Sequence, residues 1–114
     1  MGASHTLAQD LVKRAADMIP VLREREAETR RNGQVSDQTI QEFVDAGFYR
    51  VLQPKAYGGY ELSPKVYVDI ARQLALGCMA SAWVYGVVAV HNWQMALFDD
   101  RAAQDVWGAD NSVR

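Results

Sequence analysis

The most apolar stretch of this sequence reads Ala82-Trp83-Val84-Tyr85-Gly86-Val87-Val88-Ala89-Val90-His91-Asn92-Trp93-Gln94-Met95-Ala96-Leu97-Phe98. No side chain in it carries a permanent charge, and its apolar residues fall on every side of a helix. Such a helix is either buried all round or spans a membrane. Because the stretch is shorter than the roughly 20 residues that a bilayer requires, and is interrupted by His91, Asn92 and Gln94, it predicts a buried helix.

Two helical regions lie upstream of this stretch. Apolar residues recur at intervals of three and four, which predicts a long helix over residues 6–31. Pro20 should kink or restart this helix, because proline lacks the N–H that an interior hydrogen bond requires. Ser36 is a typical N-cap for the next helix, and Gly47 is a typical end because glycine readily adopts the left-handed conformation. The predicted buried side of this second helix consists of Ile40, Phe43 and Val44.

A glycine-rich segment separates the second and third helices. Residues 48–61 include Tyr57-Gly58-Gly59. A lone Gly-Gly pair without a preceding strand is a weak signal for a phosphate loop, so we interpret the triplet as a turn. Ser63-Pro64 then supplies an N-cap and a first helical residue for a third helix that ends at Gly77. Residues 78–81 are predicted to link this helix to the apolar one.

The whole sequence predicts a single all-α domain. Its 114 residues are 49% hydrophobic and 23% charged, which is enough apolar material for one packed core and too little charge for a disordered chain. Asp99 or Asp100 caps a short last helix that ends at Trp107, giving about five helices over residues 1–114. Four flanking helices of this size can barely enclose the apolar one, so the sequence also predicts a missing partner surface.

Charge and cysteine content limit the classes of function. Lys and Arg number 12 against 14 Asp and Glu, so the net charge is −2 and no long block of either sign marks a nucleic-acid binder. Cys78 is the single cysteine, which excludes an internal disulfide and gives no zinc-binding pattern. Residues 1–5 lead into a helical pattern without a secretory signal. We therefore expect a cytoplasmic protein that has no metal site and binds neither nucleic acid nor membrane.

The apolar helix also contains the candidate functional residues. Trp83, Val87 and His91 are spaced by four, so they follow one slowly drifting stripe of the helix. An aromatic wall beside one titratable group suits an aromatic or acyl ligand. His91 has an alternative interpretation as a structural histidine whose ring is hydrogen-bonded in the core. Ser81 and Cys78 do not form a nucleophile–base arrangement with His91 by local spacing, so hydrolase chemistry is not predicted.

Three segments together resemble a known family. They are Gly47-Phe48-Tyr49-Arg50-Val51-Leu52-Gln53-Pro54 with the triplet after it, Ser81-Ala82-Trp83-Val84-Tyr85-Gly86, and Val90-His91-Asn92-Trp93 running to Val106-Trp107-Gly108. These segments are similar to the N-terminal helical domain of the acyl-CoA dehydrogenase superfamily. Within it, residues 50–54 and 83–86 most resemble the flavin-dependent aromatic hydroxylases, which are the oxygenase components of two-component systems such as the p-hydroxyphenylacetate, secosteroid-phenol and polyketide hydroxylases.

The resemblance implies a larger enzyme. Family members continue into a central β-domain and a C-terminal helical domain that holds a tetramer together, and both domains are absent from this sequence. In the resembled hydroxylases a separate flavin reductase supplies reduced FMN or FAD, which with O2 hydroxylates a phenolic or polycyclic aromatic ring. Most flavin contacts belong to the absent domains, so this segment alone should hold flavin poorly. The implied full-length protein is an oxidoreductase, whereas the activity of the 114 residues alone stays open.

The resemblance also implies roles for particular residues. Trp83 corresponds to a tryptophan that borders the flavin and substrate cavity, and His91 to a histidine whose hydrogen bond to the substrate hydroxyl favours the reactive phenolate. His91 is thus the candidate catalytic residue, Trp83, Val87 and His91 are the candidate substrate-binding residues, and Trp83 is the candidate flavin contact. The alternatives are an acyl-CoA dehydrogenase or related flavin monooxygenase and, in another class, a non-catalytic helical oligomerisation or interaction module.

Overall fold

The computed structural model describes residues 6–112, which form helices and turns and no strand. The helices are α1 (Leu7–Asp17), α2 (Ile19–Asn32), α3 (Asp37–Asp45), α4 (Pro64–Gly77), α5 (Met79–Ala96) and α6 (Asp100–Trp107), with short 3-10 turns at Phe48–Arg50 and Lys55–Tyr57. The all-α prediction is therefore confirmed. Residues 1–5, on which the expectation about a secretory signal rests, lie outside the described residues.

The predicted first helix is in fact two helices. α1 ends at Asp17, and Met18 both ends α1 and precedes the first residue of α2. Pro20 lies in the first turn of α2, where its missing N–H removes no intrahelical hydrogen bond. The interruption expected at the proline is confirmed, but the break falls before it. This division gives six α-helices in the described residues rather than about five.

The junction of α4 and α5 is shorter than predicted. α5 begins at Met79, so the predicted link over residues 78–81 is wrong, and the extended residue Cys78 alone joins the two helices. Gly77 allows this junction to lie against α2. A Cβ at Gly77 would come within 2.7 Å of the Cβ of Leu22, which is closer than two carbon atoms can approach without a shift of the backbone.

A cluster of aromatic rings holds α5 against the rest of the fold. Tyr85 of α5 stacks on Tyr49 with ring centroids 5.8 Å apart. It meets Phe43 and Phe48 edge-on at 6.2 and 6.1 Å, and Tyr67 of α4 lies 5.7 Å away. Aromatic pairs at these separations contribute about 0.5–1.5 kcal/mol beyond the burial of their surface. The cluster thereby fixes which side of α5 faces inward.

The described part of the chain is flat, with extents of 42 × 41 × 19 Å. Because a helix with its side chains is about 10–12 Å wide, the body is roughly two helices thick and no helix in it is enclosed on all sides. α5 buries one side only, through Ser81, Ala82, Tyr85, Ala89 and Asn92. Within residues 6–112 the other side of α5 is therefore uncovered, and its burial depends on the partner surface that the sequence predicts. Val44 of α3, also predicted to be buried, is 37% exposed.

The turn predicted around Tyr57-Gly58-Gly59 is confirmed, and it closes onto the segment that follows α6. Gly58 adopts the left-handed conformation with a φ of 92°. Nearby, the side chains of Arg50 and Gln53 both donate hydrogen bonds to the backbone carbonyl of Asn111, at 3.3 and 2.9 Å. Arg50 and Gln53 thus anchor Asn111 beside the turn, where a Cβ at Gly58 would lie 2.7 Å from the Asn111 side-chain nitrogen.

Candidate functional site

The three predicted site residues lie together on the uncovered side of α5. Trp83 is 68% exposed, Val87 is 37% exposed, and His91 is exposed as well. Their spacing of four aligns them in one row along the helix, on the side away from Tyr85 and the aromatic cluster. We refer to Trp83, Val87 and His91 as the α5 row. The row presents one indole, one branched aliphatic group and one imidazole to the same space.

The imidazole of His91 has a defined hydrogen-bonding state. Its Nδ1 contacts the backbone carbonyl oxygen of Val87, one turn earlier on α5. A carbonyl oxygen only accepts, so this contact is a hydrogen bond in the tautomer that carries the proton on Nδ1, which leaves the lone pair on Nε2. Nε2 is therefore free to accept a hydrogen bond from a hydroxyl group placed against the row. The alternative of a histidine satisfied within the core does not fit a ring that is exposed.

A groove of about 430 Å³ runs between α4 and α5 beside the row. Trp83 and Val87 form part of its wall, and small residues leave it open. They are Ala71, Ala75, Ala82 and Gly86. The hydroxyl of Tyr67 donates a 2.9 Å hydrogen bond to the carbonyl of Gly86, and a Cβ at Gly86 would lie 3.2 Å from that hydroxyl. The groove is thus apolar and shaped by the close approach of α4 to α5.

A second, larger groove of about 980 Å³ lies on the other side of Trp83, between α2 and the α4–α5 junction. Its wall combines the apolar Leu76 and Met79 with the charged Arg23 and Glu26 of α2. Because Trp83 lines both grooves, its indole forms the ridge between them. A planar ligand or an apolar protein surface that covers α5 would contact this ring first.

The buried tyrosines behind α5 do not add an acid or base to the site. Burial raises the pKa of Tyr49 to about 12 and raises the pKa of Tyr85 further. Both hydroxyls therefore stay protonated at neutral pH, and neither has a hydrogen-bond partner within residues 6–112. They face the core, away from the α5 row. His91 is the one titratable side chain of the row.

Other kinds of site receive no support from the part of the chain that is described. Ser81 is buried, whereas His91 is exposed on the other side of α5, so the two do not form a nucleophile–base pair. Within residues 6–112 no group of three or more His, Cys, Asp or Glu side chains lies close enough to hold a metal ion. None of the helices over the same residues is long and apolar enough to cross a membrane.

Sequence reasoning missed two side-chain hydrogen bonds that hold α5 against its neighbours. Asn92 is buried and donates a hydrogen bond to the backbone of Tyr49, and Tyr67 holds Gly86 as described above. The available signal was Asn92 itself, because an amide in an otherwise apolar helix needs a partner. Its partner is 43 residues away in the sequence, which no local pattern reveals.

Known proteins show what this arrangement is similar to. A family model described as the N-terminal domain of acyl-CoA dehydrogenase matches residues 3–107. The oxygenase subunit HsaA, a flavin-dependent monooxygenase of Rhodococcus jostii (strain RHA1), is 38% identical over 103 residues, which cover 90% of this chain and 27% of that protein. The p-hydroxyphenylacetate 3-hydroxylase oxygenase component of Acinetobacter baumannii is 25% identical over 100 residues, 88% of this chain and 24% of the relative.

Solved structures agree with the sequence matches. The crystal structure of the HsaA monooxygenase from M. tuberculosis superposes with a TM-score of 0.87 and 37% identity, over 92% of this chain and 29% of that one. The 3-HSA hydroxylase from Rhodococcus sp. RHA1 superposes with a TM-score of 0.86 and 37% identity. The match covers 92% of this chain and 27% of that structure. The chain spans about a quarter of the length of the relatives it matches.

Proposed function

Since this chain belongs to the family of acyl-CoA dehydrogenase N-terminal domains, we propose that it forms the helical N-terminal part of a flavin-dependent monooxygenase that hydroxylates a phenolic or polycyclic aromatic substrate. Several relatives, HsaA and the p-hydroxyphenylacetate hydroxylase among them, are named as oxygenase subunits or components. An acyl-CoA dehydrogenase or a related flavin monooxygenase is the alternative within the same family.

The observation that carries the proposal is the α5 row. It combines an exposed indole with a histidine whose Nε2 is free, beside an apolar groove. Aromatic substrates bind in apolar sites with a small number of oriented polar groups. This chain supplies one wall of such a site, and the remaining three quarters of a protein as long as its relatives would supply the rest.

His91 acts on the substrate hydroxyl in this proposal. The hydroxyl donates a hydrogen bond to Nε2 and passes its proton to the ring, while Nδ1–H keeps its bond to the carbonyl of Val87. The resulting imidazolium stays paired with the phenolate and stabilises it in a site from which water is excluded. A phenolate ring is more electron-rich than a phenol, so proton transfer to His91 prepares the ring for oxygen transfer.

A reduced flavin, FMN or FAD, supplies the reducing equivalents and, with O2, the oxygen atom. Trp83 fits the edge of a flavin site, because its indole is exposed and stands between two grooves. The uncovered side of α5 is open, so the described residues offer only one side of a cofactor site. We therefore assign Trp83 to cofactor and substrate contact, and Val87 to substrate contact.

The proposal also names partners. A separate reductase delivers the reduced flavin, the substrate is an aromatic small molecule, and the complete protein is a homo-oligomer, a tetramer as the resemblance implies. We place the protein in the cytoplasm, for which the single cysteine gives support.

The test uses the longer protein with a flavin reductase and a panel of phenols. We expect hydroxylated product, and we expect His91→Ala to slow its formation about 100-fold while O2 consumption continues, because the general base is lost and flavin oxidation is not. Unchanged product formation in this variant would remove His91 from the site. Reduction of bound flavin by acyl-CoA thioesters would instead identify a dehydrogenase, since a hydroxylase shows none.

A second candidate function follows from the uncovered apolar side of α5. A surface with this many exposed apolar side chains also suits a helical oligomerisation or interaction module without catalysis. Sedimentation of the 114-residue chain tests this candidate. Self-association that Trp83→Gln abolishes supports the module, whereas a monomer at all concentrations argues against it.

A further inference from the structure

Asn92 is the buried polar contact between α5 and the segment that follows α3. Its side chain is 9% exposed, and its amide nitrogen donates to the backbone carbonyl of Tyr49 at 3.2 Å. A weaker contact from the same nitrogen reaches the carbonyl of Val88 at 3.4 Å. Tyr49 belongs to the 3-10 turn Phe48–Arg50, so this hydrogen bond ties α5 to an element outside the helix pair α4–α5.

The contact lies near the end of α5, where little else is buried. After Ala89, Asn92 is the only residue of this helix that is buried, and the helix ends at Ala96. His91 therefore belongs to a part of α5 that one polar contact anchors to the core. Loss of this hydrogen bond leaves the buried carbonyl of Tyr49 without its Asn92 partner.

The geometry of the helix links the orientation of Asn92 to that of its neighbour His91. Successive side chains are about 100° apart around the axis, so an inward Asn92 places His91 on the uncovered side with Trp83 and Val87. A small rotation of the end of α5 would move Nε2 of His91 while the rest of the row stays in place. An apolar residue at position 92 fills the same space but has no donor that selects one rotation.

We propose that Asn92 is the positioning residue for His91: its hydrogen bond to the Tyr49 carbonyl fixes the rotation of the end of α5 and so the direction of the His91 imidazole. This inference rests on the proposed function, in which His91 contacts the substrate hydroxyl. Asn92 itself faces the core and contacts no substrate. Its effect on the reaction passes entirely through His91.

The first experiment measures product formation by the longer protein with its reductase. Asn92→Leu should lower kcat about tenfold, because a misplaced base loses alignment, while KM changes less than about twofold. Asn92→Gln, which keeps an amide donor, should recover at least about a third of the rate. Gln53→Leu is the matched control, because it removes a buried side-chain amide that also donates to a backbone carbonyl, that of Asn111, but lies outside α5.

A double-mutant comparison separates positioning from general loss of structure. In the His91→Ala background, Asn92→Leu should change the rate less than about twofold, because its effect requires the imidazole. An equal loss in both backgrounds, or an equal loss in Gln53→Leu, would overturn the proposal.

The second experiment does not depend on the proposed function. Backbone residual dipolar couplings of the 114-residue chain report the orientation of the end of α5 relative to the rest of the fold. In Asn92→Leu we expect the couplings of residues 91–96 to shift from the wild-type values while those of α4 stay the same, and we expect no shift over residues 91–96 in Gln53→Leu. Thermal unfolding of each variant confirms that it is folded. Unchanged couplings over residues 91–96 in Asn92→Leu overturn the inference even if the longer protein lacks hydroxylase activity.

Discussion

Tyr85 lies at the centre of the aromatic cluster, and its hydroxyl is an exception to the usual pairing of buried polar groups. The ring contacts four other aromatic rings, whereas the hydroxyl has no partner within residues 6–112. An unpaired buried hydroxyl costs about 1–3 kcal/mol. The ring of Tyr85 is therefore the stabilising part of this side chain, and its hydroxyl opposes folding.

Removal of single hydroxyl groups by Tyr-to-Phe substitution tests whether the Tyr85 hydroxyl opposes folding. We expect Tyr85→Phe to leave the free energy of unfolding unchanged or to raise it by about 1 kcal/mol, since an unpaired group is removed. Tyr67→Phe should lower it by about 1 kcal/mol, because the Tyr67 hydroxyl is bonded to the Gly86 carbonyl. Urea unfolding of the two variants provides the measurement. A clear loss of stability in Tyr85→Phe would mean that its hydroxyl has a partner, such as an internal water.

A bidentate ion pair between Arg25 and Glu42 joins helices α2 and α3. The guanidinium of Arg25 donates to both carboxylate oxygens of Glu42, at 2.7 and 3.0 Å, and also to the hydroxyl of Thr39 at 3.1 Å. The hydrogen bonds from Arg25 lower the pKa of Glu42, against the opposing effect of burial. The pair thus fixes how α3 lies against α2.

The lowered pKa gives the stability of the chain a pH dependence. The folded pKa of Glu42 lies below the ordinary value of 4.5, so the stabilisation by the pair is complete above that value and is lost as the pH falls through the folded pKa. Between pH 6 and pH 3 we expect the wild type to lose about 0.5–1 kcal/mol more than Glu42→Gln. Chemical unfolding at several pH values measures this difference. Asp17→Asn removes an exposed ion pair with Lys13. The difference in stability loss between the wild type and this variant should therefore be smaller than for Glu42→Gln.

The ends of the helices could be predicted from the sequence where a local group determines them. Ser36 and Ser63 cap α3 and α4 as expected, and Gly47 takes the left-handed conformation after α3. The early start of α5 could not be predicted, because it depends on the contact of Gly77 with Leu22, far away in the sequence. Local hydrogen bonds are encoded locally, whereas junctions between helices depend on tertiary packing.

The same distinction applies to the candidate site. The alignment of Trp83, Val87 and His91 follows from a spacing of four, and the structure places all three on one exposed side. The tautomer of His91 and the contact of Asn92 with Tyr49 required coordinates. The prediction that partner protein covers this side stays a prediction.

For the molecule as a whole, the uncovered side of α5 distinguishes this chain from a self-contained bundle. If the remainder of a longer protein encloses the α5 row, the indole of Trp83 becomes inaccessible there. We therefore expect quenching of Trp83 fluorescence by acrylamide to fall at least about threefold from the 114-residue chain to the longer protein, as a covered apolar patch requires.

Two variants isolate the signal for this measurement. Trp93→Phe leaves Trp83 as the one exposed indole among the described residues, because Trp107 is only 3% exposed. The same protein with Trp83→Phe added gives the signal of all other tryptophans, which is subtracted. Equal quenching in the two proteins would show that the row stays open, which contradicts its assignment to an enclosed substrate site.

The 19 Å thickness of the body also determines how the chain responds to denaturant. A thin body already exposes much of its surface, so less new surface meets solvent when it unfolds. Both the slope of unfolding against denaturant concentration and the heat-capacity change scale with that newly exposed surface. The isolated chain should therefore melt over a broad range, and attachment of a covering partner should sharpen its transition.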